Sequence, residues 1–531
     1  MFRIFANTTL KMGLSLSVCF CAVENALAQT VPSETGQSAG QLVPPTFAAP
    51  VEKPKTGFAF GGDMRTLAPK GAEKAELLVG GIEVDGLDPK FREKVDSLIS
   101  PFKGQKRPAS DIYALAGDIQ KLYADDGYFL NRVVIPPQDV GHGGVVKLKV
   151  LEGFIAEIRL ESLVPEVRSR VARYFGPLQD RKGLKQAEFE RALLLAAGTS
   201  GLKLKSNISP SEQLLGVTLT LSGDYDPVSA QMSTDNSLSE AMGIYQTSLS
   251  ASLNSPFHIG DMIYFNVSGA PSNEFLGPKS PRRVFAAGLT VPLSDNGLSG
   301  NLEYTWSGTQ PLTFGRSFAT KSEFQRATAK LSYPFILNQV TSLTGRVQFD
   351  DIDEINSARA FRYTLYHDHL NVIRGGLDYS TFLGGVQISS GFEASQGISG
   401  LGSRGPAEAK KGPGISQQYA SDRFSKIMGN VRVHQDYASG FGWDLTARGQ
   451  YSPTGALMNS EKFVVGCSCD LSGVDSGSWS GDHGWAVRAE LQYDLSHAVN
   501  IAGLSLKPYI FGARGQVYAA RPTASELAMD G

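Results

Sequence analysis

The chain has 531 residues, of which 50 are Lys or Arg and 52 are Asp or Glu, for a formal net charge of −2. This length allows several domains, and the balanced charge gives no indication of nucleic-acid binding. The 58 glycines are interleaved with Ser, Asn, Asp and short apolar runs, which favours many strands and turns over long helices.

The N-terminus has the features of a secretory signal peptide, so residues 1–28 are expected to be removed. Arg3 and Lys11 form its basic region, and Met12 to Val23 is an apolar run too short for a membrane helix. Ala26-Leu27-Ala28 is a small-x-small cleavage site. The alternative interpretation is a buried N-terminal helix.

The next segment, residues 29–74, is rich in Pro, Gly, Ser, Thr and Ala, a composition typical of a linker. A helix that plugs a pore could lie in it, but its prolines argue against a long helix. We therefore expect an extended connection to the first folded domain.

Residues 75–153 are predicted to form a small α+β domain with the order β-α-α-β-β. The first strand spans 77–84, and Ser110 and Asp111 are expected to cap the second helix. That helix ends at Gly127, a residue that tolerates the left-handed conformation. The apolar residues of 145–151 alternate with Lys, the period of a strand with one wet face.

The same order recurs in residues 154–223, which predicts a second copy of the domain. Its elements are a strand, two helices and two further strands, at 155–160, 164–175, 186–197, 202–208 and 214–221.

From residue 224 to 531 the pattern changes to segments of about ten residues that alternate apolar and polar and are separated by turns. Thr247 to Leu253, TSLSASL, places small polar residues on one side and Leu on the other. Aromatic residues near segment ends suit the two interfaces of a membrane. The predicted fold is mainly β: a transmembrane outer-membrane β-barrel preceded by two α+β domains. The alternative is a large soluble β-sandwich or solenoid.

Residues 121–153 carry a set of motifs in a specific order: Tyr123-x3-Gly127-Tyr128, Pro137-Gln138-Asp139-Val140, Gly143-Gly144 and Val150-Leu151-Glu152-Gly153. They resemble the first POTRA (polypeptide-transport-associated) domain of two-partner secretion transporters, the haemolysin activation/secretion proteins. Phe189 to Leu195 resembles the second POTRA domain of this family.

The barrel region resembles the same family through several short motifs. They are Asp235-Asn236, Gly260-Asp261, Tyr333-Pro334, Asp368-x5-Arg374-x-Gly376, Ser395 to Ile398, Gly449-Gln450 and Glu461-Lys462-Phe463-x2-Gly466. The resemblance implies roughly 16 strands and a loop that folds back into the pore. After Tyr518 the family's last strands are missing, so we expect a fragment, a truncated product or a barrel closed by fewer strands.

The pore loop departs from the family pattern. The family has a Val/Leu-Arg-Gly-Tyr tip whose Arg is thought to pair with the Asp of an Asp-x-Gly on a later strand. The expected lid residues here are Gly466, Leu471, Ser472, Gly473 and Val474, and the contacting strand has Ala513, Arg514 and Gly515. Both charged partners are therefore lost, and the candidate substitute charges are Asp470, Asp475 and Arg514.

The implied function is secretion of an unfolded exoprotein, a large β-helical haemolysin or adhesin, from the periplasm through the barrel of a Gram-negative outer membrane. A groove on the first POTRA domain is expected to bind it, lined by Ile112, Leu115, Ile119, Leu148, Val150 and Leu151, unless these side chains are simply core. Further expected partners are outer-membrane lipid, the barrel-assembly machinery and periplasmic chaperones, and not nucleic acid. The alternatives are an assembly factor or surface antigen of the same superfamily, or a passive porin.

We find no catalytic constellation, so no enzymatic activity, cofactor or metal is expected. His367 and His369 bracket Asp368, and a polar pair facing the lumen is the preferred interpretation over a metal site. Cys467 and Cys469 are the only cysteines of the mature chain. They are interpreted as incidental thiols in a loop or, alternatively, as a strained or intermolecular disulfide.

Overall fold

The computed structural model describes residues 38–47, 58–60, 68–140, 144–213, 215–271, 274–312, 319–466, 470–471, 477, 479–495 and 506–521. The described residues form two small α+β domains and one 13-stranded antiparallel sheet. Within these residues, no helix is both long and apolar enough to cross a membrane. A short strand in the linker, β1 (Phe58–Phe60), precedes the first domain.

The first domain combines two helices with two small sheets. Its elements are β2 (Glu76–Val79), β3 (Gly81–Asp85), α1 (Arg92–Ile99), β4 (Gln105–Pro108), α2 (Ala109–Asp125), β5 (Arg132–Val134) and β6 (Val145–Leu151). Strand β6 pairs in parallel with β3 and antiparallel with β5, and β2 pairs with β4. Gly127 has a φ of 92°, as the predicted helix end requires.

Two local predictions for this domain are wrong. The strand predicted at 77–84 is two strands, because β2 and β3 pair with different partners. Helix α2 begins at Ala109 without a side-chain cap. The backbone instead satisfies its first N–H groups, since Ala109 N–H donates to Ala75 O (2.7 Å) and Ser110 N–H donates to Ala72 O (3.2 Å).

The second domain repeats the helices-on-sheet arrangement. Its elements are β7 (Phe154–Arg159), α3 (Pro165–Phe175), α4 (Gln186–Ala197), β8 (Leu202–Pro210) and β9 (Gly216–Tyr225). The sheet order is β1-β8-β9-β7, so the linker strand β1 is part of it. Phe175, Phe189 and Leu193 are fully buried between α3, α4 and the sheet.

The large sheet consists of consecutive antiparallel strands, with β10 and β24 at its edges in the described part of the chain. They are β10 (Val228–Asp235), β11 (Gln246–Asn254), β12 (Met262–Gly269), β13 (Arg282–Pro292), β14 (Ser299–Thr309), β15 (Thr320–Leu337), β16 (Thr341–Ala358), β17 (Tyr363–Leu383), β18 (Val386–Ile398), β19 (Ser425–Asp436), β20 (Phe441–Tyr451), β23 (His483–Tyr493) and β24 (Tyr509–Tyr518). Between β18 and β19 lies the short helix α5 (Pro406–Ala409).

The two faces of this sheet have opposite chemistry. On β14, Leu302 and Tyr304 are exposed, whereas Glu303, Thr305 and Ser307 are buried. Apolar residues outward and polar residues inward is the pattern of a barrel that faces lipid and encloses a polar lumen. The inward face is covered by residues 38–47 and by a loop between β20 and β23, which contains β21 (Phe463–Val465) and β22 (Trp479–Gly481).

We expect Leu148→Ala to destabilise the first domain by about 2–5 kcal/mol, because Leu148 is fully buried and its truncation leaves a cavity. The unfolding free energy of this domain can be measured by applying a short protease pulse across a series of urea concentrations and following cleavage within residues 75–153. Val145→Ala on the same strand is the control. Val145 is 52% exposed, so its truncation should change the unfolding free energy by less than about 0.5 kcal/mol. Equal losses from the two variants would contradict the core assignment.

Candidate functional site

The inner loop between β20 and β23 is attached to the barrel wall by buried ion pairs. Arg374 on β17 contacts Asp350 on β16 (Nε to Oδ2, 2.6 Å) and Glu461 of the loop (Nη2 to Oε1, 2.6 Å). Lys426 on β19 lies 2.7 Å from the other oxygen of Glu461. Because the Glu461 side chain is only 1% exposed, these two cations are needed to balance its buried charge.

A second attachment holds the loop farther along, at Asp470. Its carboxylate accepts from Arg448 Nε of β20 (3.0 Å) and from the Gly466 N–H (3.0 Å), while its backbone carbonyl accepts from Arg488 Nη1 of β23 (3.1 Å). Asp470 is thus the one of the three candidate substitute charges for which the described residues show a partner on the wall. The loop supplies the anion and the wall supplies the cations, opposite to the polarity that the family pattern implies.

Of the remaining predicted lid residues, one is packed against the wall and the others lie outside the described residues. Leu471 is buried with Phe463, Val465 and Ala486, against Ala513 and Val517 of β24. Gly515 lies beside Leu471 on the same inward face, since a Cβ at Gly515 would come 3.2 Å from Leu471 Cδ1. Ser472, Gly473, Val474 and Asp475, like Cys467 and Cys469, lie outside the described residues.

Arg514 is not a lumen-facing partner of the loop, which corrects that expectation. It is exposed and lies directly across from Val487, an exposed residue of β23. Side chains alternate between the two faces of a strand, so the inward positions of Ala513 and Gly515 place Arg514 on the outer face.

The N-terminal segment 38–47 lies inside the barrel, and wall side chains bind its backbone. Ala39 N–H donates to Ser322 Oγ (3.2 Å), Gly40 N–H to Glu354 Oε1 (3.2 Å) and Phe47 N–H to Glu303 Oε2 (2.9 Å). Two carbonyls accept from wall arginines: Leu42 O from Arg282 (3.0 Å) and Pro44 O from Arg326 (2.8 Å). The segment forms turns rather than a helix, consistent with its proline content.

The predicted groove residues are placed in the core of the first domain. Of these six residues, Ile112, Leu115, Ile119, Leu148 and Val150 belong to one buried cluster, and only Leu151 is partly exposed. This placement agrees with the alternative sequence interpretation, in which these side chains are simply core. Beside them, the Val133 N–H on the edge strand β5 donates to the Gln120 side chain of α2 (3.4 Å), so a side chain covers the edge there.

The second domain is docked by arginines onto the adjoining ends of barrel strands. Arg170 of α3 is 2% exposed and contacts Asp295 (2.9 Å), Ser294 O (2.5 Å) and Tyr174 Oη (2.9 Å). Burial raises the pKa of Tyr174, and the nearby Arg170 acts in the opposite direction. Arg191 of α4 donates to Asn296 O (2.8 Å) in the turn between β13 and β14 and to Pro334 O (2.7 Å) near the end of β15.

The two histidines on β17 form pairs with neighbouring carboxylates. His367 Nε2 lies 2.8 Å from Asp353, and His369 Nε2 lies 3.1 Å from Asp351, both on β16. Among the residues that the structure describes, no group of three or more metal-ligating side chains is found.

Comparison with known proteins identifies the first α+β domain and the barrel. The haemolysin secretion/activation protein family ShlB/FhaC/HecB matches residues 217–531, and the ShlB-type POTRA domain matches residues 77–153. The haemolysin transporter protein ShlB of Serratia marcescens is 23% identical over 435 residues, which cover 79% of this chain and 72% of ShlB. The haem/hemopexin transporter protein HuxB of Haemophilus influenzae is 20% identical over 409 residues, 76% of this chain and 69% of HuxB.

Solved structures support the fold. CdiB from Escherichia coli superposes with a TM-score of 0.62 at 20% identity, covering 85% of this chain and 87% of CdiB. CdiB from Acinetobacter baumannii superposes with a TM-score of 0.59 at 16% identity, covering 89% of this chain and 85% of that CdiB.

The fold and the polar interior define an outer-membrane β-barrel protein with POTRA domains in the periplasm. Within this class, the chain belongs to the haemolysin secretion/activation family, the transporters of two-partner secretion.

We expect Arg448→Asp to release the inner loop, because it leaves the buried Asp470 carboxylate facing a like charge, a loss of about 3–5 kcal/mol. Channel conductance in planar bilayers should rise. The double variant Arg448→Asp/Asp470→Arg should recover part of the wild-type conductance. Arg432→Asp is the control, since Arg432 forms an ion pair in the same barrel but is 62% exposed. A conductance increase as large in the control as in Arg448→Asp would contradict this role.

We expect Arg170→Ala to loosen the second POTRA domain from the barrel, since Arg170 is buried and bridges α3 to Asp295 and Ser294. Hydrogen exchange at residues 293–298 should become faster. Arg173→Ala is a matched control, because Arg173 contacts the same Asp295 (3.4 Å) but is 60% exposed. If residues 293–298 exchange their amide hydrogens equally fast in both variants, the docking does not depend on Arg170.

Proposed function

We propose that this protein is a non-enzymatic transporter that binds an unfolded exoprotein through its POTRA domains and conducts it through the barrel. The observation that carries the proposal is the binding of residues 38–47 inside the barrel. This segment is an irregular stretch of polypeptide, and the wall contacts it chiefly through its backbone N–H and C=O groups.

Backbone groups are the part of an unfolded chain that does not depend on its sequence. A lumen that offers carboxylates and hydroxyls to N–H groups, and guanidinium groups to carbonyls, can compensate the lost hydration of any extended segment. Residues 38–47 therefore occupy the lumen in the way that we expect the backbone of an exported polypeptide to occupy it.

The path of the exoprotein through the barrel must first be freed of the segments that lie in it. Residues 38–47 and the inner loop both cover the inward face of the sheet. Glu354 and Glu303 of the wall bind residues 38–47, and Glu461 of the loop binds the wall. Passage requires these contacts to be exchanged for contacts with the exoprotein. The wall contacts to residues 38–47 are hydrogen bonds that the incoming backbone can replace, and Arg374 keeps its ion pair with Asp350 when Glu461 moves away.

The POTRA domains distinguish this proposal from a passive porin, which has no use for periplasmic modules. The proposed partner is a large secreted protein of the haemolysin or adhesin type, which matches the family to which the chain belongs.

Deletion of residues 75–223 should abolish capture of the denatured exoprotein by the purified transporter in a pull-down from dilute urea. The barrel must remain intact for this to be informative, so the deletion variant should still form channels in planar bilayers. Undiminished capture by the deletion variant would contradict binding through the POTRA domains.

A further inference from the structure

Two buried carboxylates face each other inside the barrel, on the neighbouring strands β16 and β17. Glu354 and Asp368 are directly opposite in the register of these strands, and the exposed fraction of both residues is 0%. Because Glu354 accepts from the Gly40 N–H, this is the inward face of the sheet. Directly opposite residues have their Cβ atoms about 4.5–5.5 Å apart, so the two carboxylates project into the same space.

The charge of this pair is not balanced by a cation of the protein. Glu303, Asp350 and Glu461 are as deeply buried, and a guanidinium nitrogen lies 3.5, 2.6 and 2.6 Å from their carboxylates. Among the residues that the structure describes, neither Glu354 nor Asp368 has such a partner. Buried charges without compensation are strongly unfavourable, so the pair needs positive charge from another source.

One oxygen of each carboxylate is left without a hydrogen bond. Glu354 Oε1 accepts from the Gly40 N–H (3.2 Å) and from Ser322 Oγ (3.1 Å). Asp368 Oδ1 accepts from the Ser416 N–H (2.8 Å). In the described part of the chain, Glu354 Oε2 and Asp368 Oδ2 have no hydrogen-bond partner.

A buried carboxylate without a cation does occur elsewhere in the barrel, but both of its oxygens are satisfied. Asp482 is fully buried, and its oxygens accept from the N–H groups of Leu457 (2.7 Å) and Ala520 (2.8 Å). The free oxygens of Glu354 and Asp368 therefore require a partner that the wall does not supply.

Two amide oxygens adjoin the pair and are also unpartnered. Asn356, 3% exposed, lies two residues from Glu354 on the same inward face, and its Nδ2 donates to Tyr366 Oη on β17 (3.4 Å). Its side chain is therefore turned toward β17, and its Oδ1 accepts no hydrogen bond from the described residues. Gln417, 4% exposed, follows Ser416 in the chain, and its Oε1 likewise has no partner among them.

We propose that Glu354 and Asp368 bind a calcium ion, with Asn356 and Gln417 as neutral ligands. Ca²⁺ takes about six to eight oxygen ligands in flexible geometry, including Asn and Gln carbonyls and water. The described residues contain no group of three or more His, Cys, Asp or Glu ligands, so the neutral oxygens are essential to this site. Mg²⁺ fits less well, because it requires near-octahedral geometry and dehydrates reluctantly.

The site lies where three segments that cover the lumen meet. One carboxylate holds Gly40 of the N-terminal segment, and the other holds Ser416 of the outer loop, which we define as residues 399–424 between β18 and β19. Ser416 Oγ in turn accepts from the N–H of Asn459 in the inner loop (3.0 Å). One ion at this position therefore links all three covers through the two carboxylates.

Apolar side chains of the same three segments pack beside the site. They form one buried cluster with wall residues, and its members include Ala39, Ile415, Met458, Phe324 and Leu370. Because Phe324 is directly opposite Glu354, the cluster borders the carboxylates and limits the water around them. Bound Ca²⁺ thus stabilises the state in which the lumen is covered. This role in closure rests on the transport function proposed above, whereas calcium binding itself does not.

Hydrogen exchange of the full-length transporter in detergent tests the site, with Ca²⁺, Mg²⁺ or EDTA present at constant pH and ionic strength. For a dissociation constant of about 0.5 mM, about 5 mM Ca²⁺ should slow exchange about tenfold at residues 38–47 and 413–420. Mg²⁺ at the same concentration should slow it less. Ca²⁺ should also lower the resting conductance of the transporter in planar bilayers.

The double variant Glu354→Gln/Asp368→Asn removes both charges but keeps side-chain oxygens that accept from Gly40 and Ser416. Its exchange should no longer depend on Ca²⁺. The matched control is Asp351→Asn/Asp353→Asn, which removes two carboxylates from the outer face of the same strand. This control should keep the full effect of Ca²⁺.

An unsubstituted transporter whose exchange does not respond to Ca²⁺ would overturn the site, whether or not the variants fold. An equal response of the Glu354→Gln/Asp368→Asn variant would do the same, because the ion would then bind elsewhere. A response to lower pH in EDTA, without one to Ca²⁺, would indicate a shared proton and would also overturn it. These measurements contain no exoprotein. Lost exoprotein capture with an intact calcium response would therefore count against the transport function alone, and retained capture without that response against the calcium site alone.

Discussion

A charge buried inside a barrel must be compensated within the barrel, and Glu461 is the residue at which this constraint acts most strongly. Its carboxylate is shared by Arg374 and Lys426, and Arg374 is in turn held by Asp350. The inner loop is therefore fixed to β17 and β19 by one set of charges, which Asp350 extends to β16. Removing a single partner would leave a buried charge, whereas exchanging one polar group for another is much less costly.

The same constraint explains the reversed polarity at Asp470. The resemblance implies a loop arginine paired with a wall aspartate, and both charges of that pair are predicted to be lost in this chain. Here the Asp470 carboxylate of the loop and Arg448 of the wall form a contact of opposite sign, and Arg488 of the wall donates to the Asp470 backbone carbonyl. The requirement is that the charges balance, and either polarity satisfies it. The loop thus keeps its attachment although its tip sequence departs from the family pattern.

Segment 38–47 and strand β1 give the linker a structural role in two places. In the barrel its backbone is bound by Glu303, Glu354 and wall arginines, and in the periplasm it extends the sheet of the second POTRA domain. The second domain is itself attached to the barrel through Arg170 and Arg191. The second domain is therefore joined to the barrel both by these contacts and by the linker, which is one stretch of chain.

The sequence by itself determined the class of fold and the order of the domains, because alternation and turn residues are local signals. Helix α4 has the predicted bounds, strand β11 contains the alternating segment Thr247 to Leu253, and Gly127 ends α2 as expected. Only the tertiary structure decided which partner each segment meets. The backbone of Ala72 and Ala75 replaced the predicted cap of α2, the expected groove residues became core, and β1 joined β8 across more than a hundred residues of sequence. Such long-range pairing depends on how the domains are packed together, which no local pattern of residues encodes.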